Sequence, residues 1–126
     1  FAKNVADVNV ADTGLPIQVE LLESILADGG EPIVIDAAAL LAAPEATLRT
    51  LCGRLDLEFD TGMLSWPAGP KPEDGVWAGH WYASTHRSTD FAASRPSTDP
   101  VPAHLASVVS EARPLYDRLS EFTLDA

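Results

Sequence analysis

Apolar positions form helical stripes near both ends of the chain and lose all periodicity in the middle. After Pro16, Val19, Leu21, Leu22, Ile25 and Leu26 share one face. Pro suits the first turn of a helix, where its missing N–H has no acceptor to lose. Gly29-Gly30 then predicts the helix end. The run Pro32-Ile33-Val34-Ile35 is β-branched and bounded by turn residues, which predicts a buried strand over about 32–36. Asp36 is placed to cap a short helical turn from Ala37 to Leu41. Pro44 starts the clearest helix, with Leu48, Leu51, Cys52 and Leu55 at helical spacing and Glu45, Arg49 and Arg54 outward. Gly53 weakens that helix by roughly 1 kcal/mol relative to Ala, so close packing is expected there. Leu57 and Phe59 stay apolar, and Asp60 is placed to cap one turn through Leu64. A last helix from about Pro102 to Phe122 carries Leu105, Val108, Val109, Ala112, Leu115, Leu119 and Phe122 on one face. Pro114 should kink or split it. Residues 1–14 show no clear element, and Pro96 to Pro102 reads as a polar connection.

The aperiodic middle holds all three tryptophans, Trp66, Trp77 and Trp81, together with Tyr82, His80 and Lys71. It fits neither a period of 2 nor one of 3.6. Its prolines and glycines predict an ordered loop. Large rings carry much of a small fold's burial energy, so this loop should be docked on the core or on a ligand.

One strand cannot satisfy its own backbone groups when buried. Its partners are hidden in residues 1–14 or in the aromatic loop, or lie on a segment outside these 126 residues; the last is the expectation.

Composition narrows the classes. The chain is 46% hydrophobic, which fits a globular domain. No apolar run approaches the ~20 residues that span a bilayer. The opening Phe1-Ala-Lys-Asn has no signal-peptide pattern, and the lone Cys52 excludes an internal disulfide and suits a reducing, cytoplasmic setting. A net charge of −11 argues against a general nucleic-acid binder. It leaves room for a small anionic ligand, because Lys71, Arg87 and Arg95 cluster in or just after the aromatic loop.

The segment from Ile33 through Asp36, Leu40-Leu41, Pro44 and Leu48 to Leu57 resembles a stretch of sulfotransferases. There, a late strand ends in an acidic residue and is followed by a Leu pair, a Pro and a helix. Lys71-Pro-Glu-Asp-Gly75-Val-Trp77 looks like the family's Lys-Gly-x-x-Gly-x-Trp loop, which lies against the 3′-phosphate of the sulfate donor 3′-phosphoadenosine-5′-phosphosulfate (PAPS). The run from Met63 to Trp77, with His80-Trp81-Tyr82 and Arg87-Ser-Thr-Asp-Phe91 after it, is similar to a bacterial sulfotransferase-like subgroup. The departures are Pro70, Pro72 and Ala78, where the family pattern often has Arg, Gly and Lys.

The resemblance, from about Thr13 to Leu119, implies an α/β fold, the C-terminal half of a P-loop NTPase-like three-layer architecture. In that reading residues 1–126 are one portion of a single domain, mostly helical. The Gly-rich 5′-phosphosulfate loop, the catalytic base and the first phosphate site would lie upstream, so this portion alone is expected to be inactive.

Within that frame Lys71, Gly75 and Trp77 are the candidate ligands of PAPS or its product PAP. A Lys flanked by prolines can be held rigidly beside backbone amides, which suits phosphate; otherwise it is a solvated lysine. Gly75 allows close backbone approach, or is a plain turn glycine. Trp77 either stacks on a ring or anchors the loop on the core. Arg87 pairs with a phosphate or with Glu73, Asp74 or Asp90. His80 and His86 lack a third ligand at suitable spacing, so no metal is expected. Asp36 could touch substrate, although capping explains it; Cys52 reads as inert core and His104 as surface.

The intact protein would therefore transfer a sulfuryl group from PAPS to a hydroxyl or amine of a small-molecule acceptor, with the N-terminal half of the same fold as partner and neither nucleic acid nor membrane. The alternative is a non-catalytic module that uses the Trp-rich loop as an interaction or homo-oligomer surface.

Overall fold

The computed structural model describes residues 7–93 and 100–125. The segment 1–6 and most of the connection expected at 96–102, with Lys3 and Arg95, lie outside those residues. The chain divides into two compact units. The first joins Phe1–Asp36 to Pro96–Leu124, and the second spans Ala37–Arg95 with Asp125–Ala126.

The first unit is built on two helices, α1 (Leu15–Ala27) and α5 (Ala106–Ser120), which pack against each other and against the 3-10 turn Val10–Thr13; a second 3-10 turn, Ala103–Leu105, leads into α5. Asn9 opens that turn with a reciprocal capping box, its side chain accepting from Ala11 N–H. Pro16 sits in the first turn of α1, as its missing N–H favours. Asp28 closes the helix in a Schellman motif: Gly30 N–H bonds the Ile25 carbonyl at 2.8 Å and Gly29 N–H bonds Leu26 at 3.0 Å. Gly29 takes φ +75°, and a Cβ on Gly30 would meet Ile25 Cγ2 at 2.8 Å, so a side chain at either position would be strained. Leu22 and Leu119 face one another's helices as the buried centre, with Leu124 also buried. Arg118 ties the surface together, bonding Glu23 at 2.8 Å and Glu121 at 2.6 Å while stacking on the Phe122 ring.

Two expectations change here. No strand forms over 32–36 among the described residues; the segment makes one parallel bridge, Val34 to Thr123. Val34 N–H bonds the Phe122 carbonyl at 3.2 Å and its carbonyl accepts from Leu124 at 2.8 Å. A single residue pairs on one side, and a ladder needs more neighbours than that. The α/β expectation thus meets a mostly helical chain. Pro114 does not split α5, which runs through it as one element. Its ring faces outward and its packed face holds the helix on both sides of the missing N–H.

In the second unit α2 (Ala37–Ala42) packs on α3 (Pro44–Arg54). Cys52 is buried on the apolar face, as its spacing indicates, and Thr47 is 2% exposed with its hydroxyl bonded to the Ala43 carbonyl at 2.9 Å. Arg49 is not simply outward: it pairs with Glu45 at 2.8 Å and lies over the Phe59 ring at 4.1 Å. A Cβ at Gly53 would meet nothing within 4 Å, so the close packing expected there is absent. Helix α3 also ends in a Schellman motif, with Leu57 N–H on the Cys52 carbonyl at 2.8 Å; its left-handed residue is Asp56, φ +54°. Asp60 caps the turn Thr61–Leu64 as expected, accepting from Gly62 N–H at 2.7 Å.

Candidate functional site

The base of the aromatic loop is closed by a short antiparallel contact. Ser65 bridges Asp90, and Trp66 N–H donates to the Thr89 carbonyl at 2.8 Å. Trp66 docks there, with its indole N–H on Ser88 Oγ at 3.1 Å and its ring edge-on to Phe91 at 5.3 Å. Ser88 Oγ donates its own hydrogen bond to the Thr85 carbonyl at 2.7 Å, which leaves its lone pairs for the donor-only indole N–H. Trp66 and Phe91 thus form the anchor.

Lys71 lies on the far side of the loop, exposed, between two prolines that offer no N–H of their own. Its own N–H donates to Asp74 Oδ2 at 2.8 Å, and Asp74 N–H returns to the Lys71 carbonyl at 3.0 Å. The same Oδ2 meets His86 Nε2 at 2.9 Å. The Asp74 carboxyl is held below the usual aspartate range, chiefly by the Lys71 N–H and then by His86, while burial works the other way. Of the acids considered for Arg87, Asp74 is taken by His86.

Gly75 has ordinary backbone geometry, and a Cβ there would touch nothing within 4 Å. Among the described residues the N–H groups of Gly75, Val76 and Trp77 donate to no protein acceptor. The one-turn helix α4 (Ala78–Trp81) follows, with Ala78 buried. Val76 and Trp77 stand out from the surface, 95% and 68% exposed. Trp77 therefore does not anchor the loop, and of the three tryptophans only Trp66 is docked. Trp81 is exposed with His80 edge-on to it at 4.9 Å. The structure thus brings Lys71, Gly75 and Trp77 onto one exposed stretch, with a charge, three free amides and a ring.

Asp36, in the other unit, accepts from the Tyr116 hydroxyl at 2.8 Å. Two cavities, about 180 and 280 Å³, also belong to that unit, and no loop residue lines them. Among the described residues no group of three His, Cys, Asp or Glu could hold a metal, and no helix is long and apolar enough to cross a membrane.

Sequence reasoning missed the Asp74–His86 contact and the Trp66–Ser88–Phe91 anchor. The Lys71-x-x-Asp74 spacing is a legible turn signal. His86 is twelve positions further on, and nothing in the local pattern marks that pairing.

This mostly helical chain with an exposed Lys-x-x-x-Gly-x-Trp loop belongs to the sulfotransferase domain family, whose model matches residues 1–122. Its similarity to curated proteins runs to two from Arabidopsis thaliana. Branched-chain-amino-acid aminotransferase-like protein 2 is 39% identical over 108 residues, 86% of this chain and 19% of that protein. Branched-chain-amino-acid aminotransferase-like protein 1 is 41% identical over 108 residues, 86% of this chain and 20% of that protein. The chain spans about a fifth of the length of these relatives. No solved structure matches it.

Proposed function

We propose that the chain is the 3′-phosphate-side portion of a PAPS-dependent sulfotransferase, acting on a hydroxyl or amine of a small-molecule acceptor. PAPS supplies the activated sulfuryl group. Lys71 holds the 3′-phosphate through its ammonium group, the free amides of Gly75, Val76 and Trp77 add neutral donors, and Trp77 offers a ring for the nucleotide. Catalysis of such transfers rests on positioning and on stabilising charge at the non-bridging oxygens. Membership of the sulfotransferase family over residues 1–122 carries this reading. Gly75 adds support: the fold makes no demand for glycine there, by φ or by crowding, which leaves a bound group as a reason for the missing side chain. The word aminotransferase in the relatives' names describes proteins about five times as long, and no aminotransferase role is assigned to this portion.

Calorimetry of the full-length protein with PAP tests the reading. Binding is expected, with Lys71→Ala weakening it about tenfold, as loss of a charge-assisted contact requires. Gly75→Ala should weaken PAP binding without lowering the unfolding midpoint. Absence of any PAP heat with the wild type would overturn the proposal.

The exposed Val76, Trp77 and Trp81 favour one second reading, a protein-interaction surface. Quenching of tryptophan fluorescence by PAP separates the two, because an interaction module gives none.

A further inference from the structure

Resting on the nucleotide reading above, we propose that Asp74 and His86 form a clasp that positions Lys71, making both of them positioning residues of the phosphate loop. Three contacts converge on the segment. His86 accepts the Gly69 N–H through its backbone carbonyl at 2.8 Å and meets Asp74 Oδ2 through its ring at 2.9 Å. Asp74 Oδ2 also takes the Lys71 N–H at 2.8 Å. One residue therefore grips the loop on both sides of Lys71. Gly69 enters at φ +115°, a conformation that glycine adopts readily.

His86 is itself fixed. Its N–H donates to the Tyr82 carbonyl at 2.7 Å, and the Tyr82 ring stands edge-on to the imidazole at 6.0 Å. The facing imidazole and carboxylate are both about four-fifths covered, at 21% and 22% exposure. They are sheltered enough for the pair to act as a fastening and not as a solvated ion pair.

Beyond the Trp66 anchor, the stretch from Pro70 to Trp77 has few other backbone donors to hold it. Pro70 and Pro72 have no N–H, and the N–H groups of Gly75, Val76 and Trp77 donate no hydrogen bond among the described residues. Lys71 is thus the only residue of the Pro70–Pro72 stretch with an N–H, and Asp74 takes it. The prolines stiffen the segment and the clasp sets its direction. This also accounts for the family departures at Pro70 and Pro72, because a loop that has lost flanking cations and a flexible glycine gains a fixed presentation of its one lysine. Without the clasp the ammonium group would sample many positions and meet a phosphate less often.

The test uses the full-length protein and the variants His86→Ala, His86→Gln, Asp74→Ala and Asp74→Asn. Amide hydrogen exchange at Lys71 reads the clasp without any ligand. His86→Ala should raise that exchange at least tenfold, and His86→Gln, which keeps a donor for Asp74, should restore most of the protection. With PAP, His86→Ala and Asp74→Ala should each weaken binding about tenfold and the double variant hardly more, because one device is broken only once. His86→Gln should bind within about threefold of the wild type, a rescue that general destabilisation would not give. Unchanged exchange in both His86→Ala and Asp74→Asn overturns the clasp. Raised exchange with unchanged PAP affinity overturns its positioning role. A wild type that gives no heat with PAP sinks the nucleotide reading, while exchange still decides the clasp, so the two failures are distinct.

Discussion

Two tryptophans eleven positions apart have opposite roles, and their surroundings decide which. Trp66 has a hydrogen-bonded indole and an edge-on partner in Phe91, whereas Trp77 is 68% exposed with no ring contact among the described residues. Trp66→Ala should therefore destabilise the fold by about 3 kcal/mol, while Trp77→Ala should stay within about 0.5 kcal/mol, both read by urea unfolding. Equal effects would show that the loop is anchored elsewhere. Acid acts on the same loop through Asp74. Its carboxyl is held below the ordinary aspartate value, so its contribution to loop order is complete above about pH 5, where an unfolded aspartate is almost wholly ionised. It is lost as the pH falls through the lower folded value. Tryptophan fluorescence should report that acid transition in the wild type, and Asp74→Asn should lack it. The aperiodic character of the aromatic cluster was legible in the sequence, although its one-turn helix Ala78–Trp81 was not. Which ring was docked was not, because docking depends on Ser88 and Phe91, more than twenty residues beyond Trp66.

The helices were the most readable elements, since their apolar stripes and end signals are local. Gly29-Gly30, Pro44 and Asp60 all fall where the structure uses them. Reading failed where a residue's meaning depended on neighbours outside its own helix. Gly53 suggested close packing but faces open space, and of the kink or split expected at Pro114 the split does not occur, because α5 runs through it. The two Schellman ends differ in a way that predicts stability. Helix α1 has glycine at its left-handed position, whereas α3 has Asp56 at φ +54°. Asp56→Gly should remove the strain of a side chain in that region and stabilise by up to about 1 kcal/mol. Gly53→Ala should add about 1 kcal/mol through helix propensity. Thermal unfolding of the full-length protein checks both. A fall in midpoint for Gly53→Ala would reveal a close neighbour at that site.

At the scale of the whole molecule, a helical chain with one isolated bridge at 32–36 belongs to a family with an α/β fold. The run 32–36 holds the key, because its β-branched residues are extended and paired on one side only. Val34 directs both its N–H and its carbonyl toward 122–124. Neighbouring residues in an extended chain turn these groups the opposite way, so Ile33 and Ile35 present theirs to the other side. Among the described residues nothing bonds to them. An exposed edge of this kind invites pairing, and natural folds cover it. The matched relatives are about five times as long as this chain, and a covering strand from outside these 126 residues is the prediction. In the full-length protein the Ile33 and Ile35 amides should therefore exchange at least a hundredfold more slowly than free amides, at a level comparable with Val34. Fast exchange at both residues with protection kept at Val34 would mean that no strand covers this side. The single bridge would then be the whole of the local β-structure, and the three-layer expectation would fail for this part of the chain.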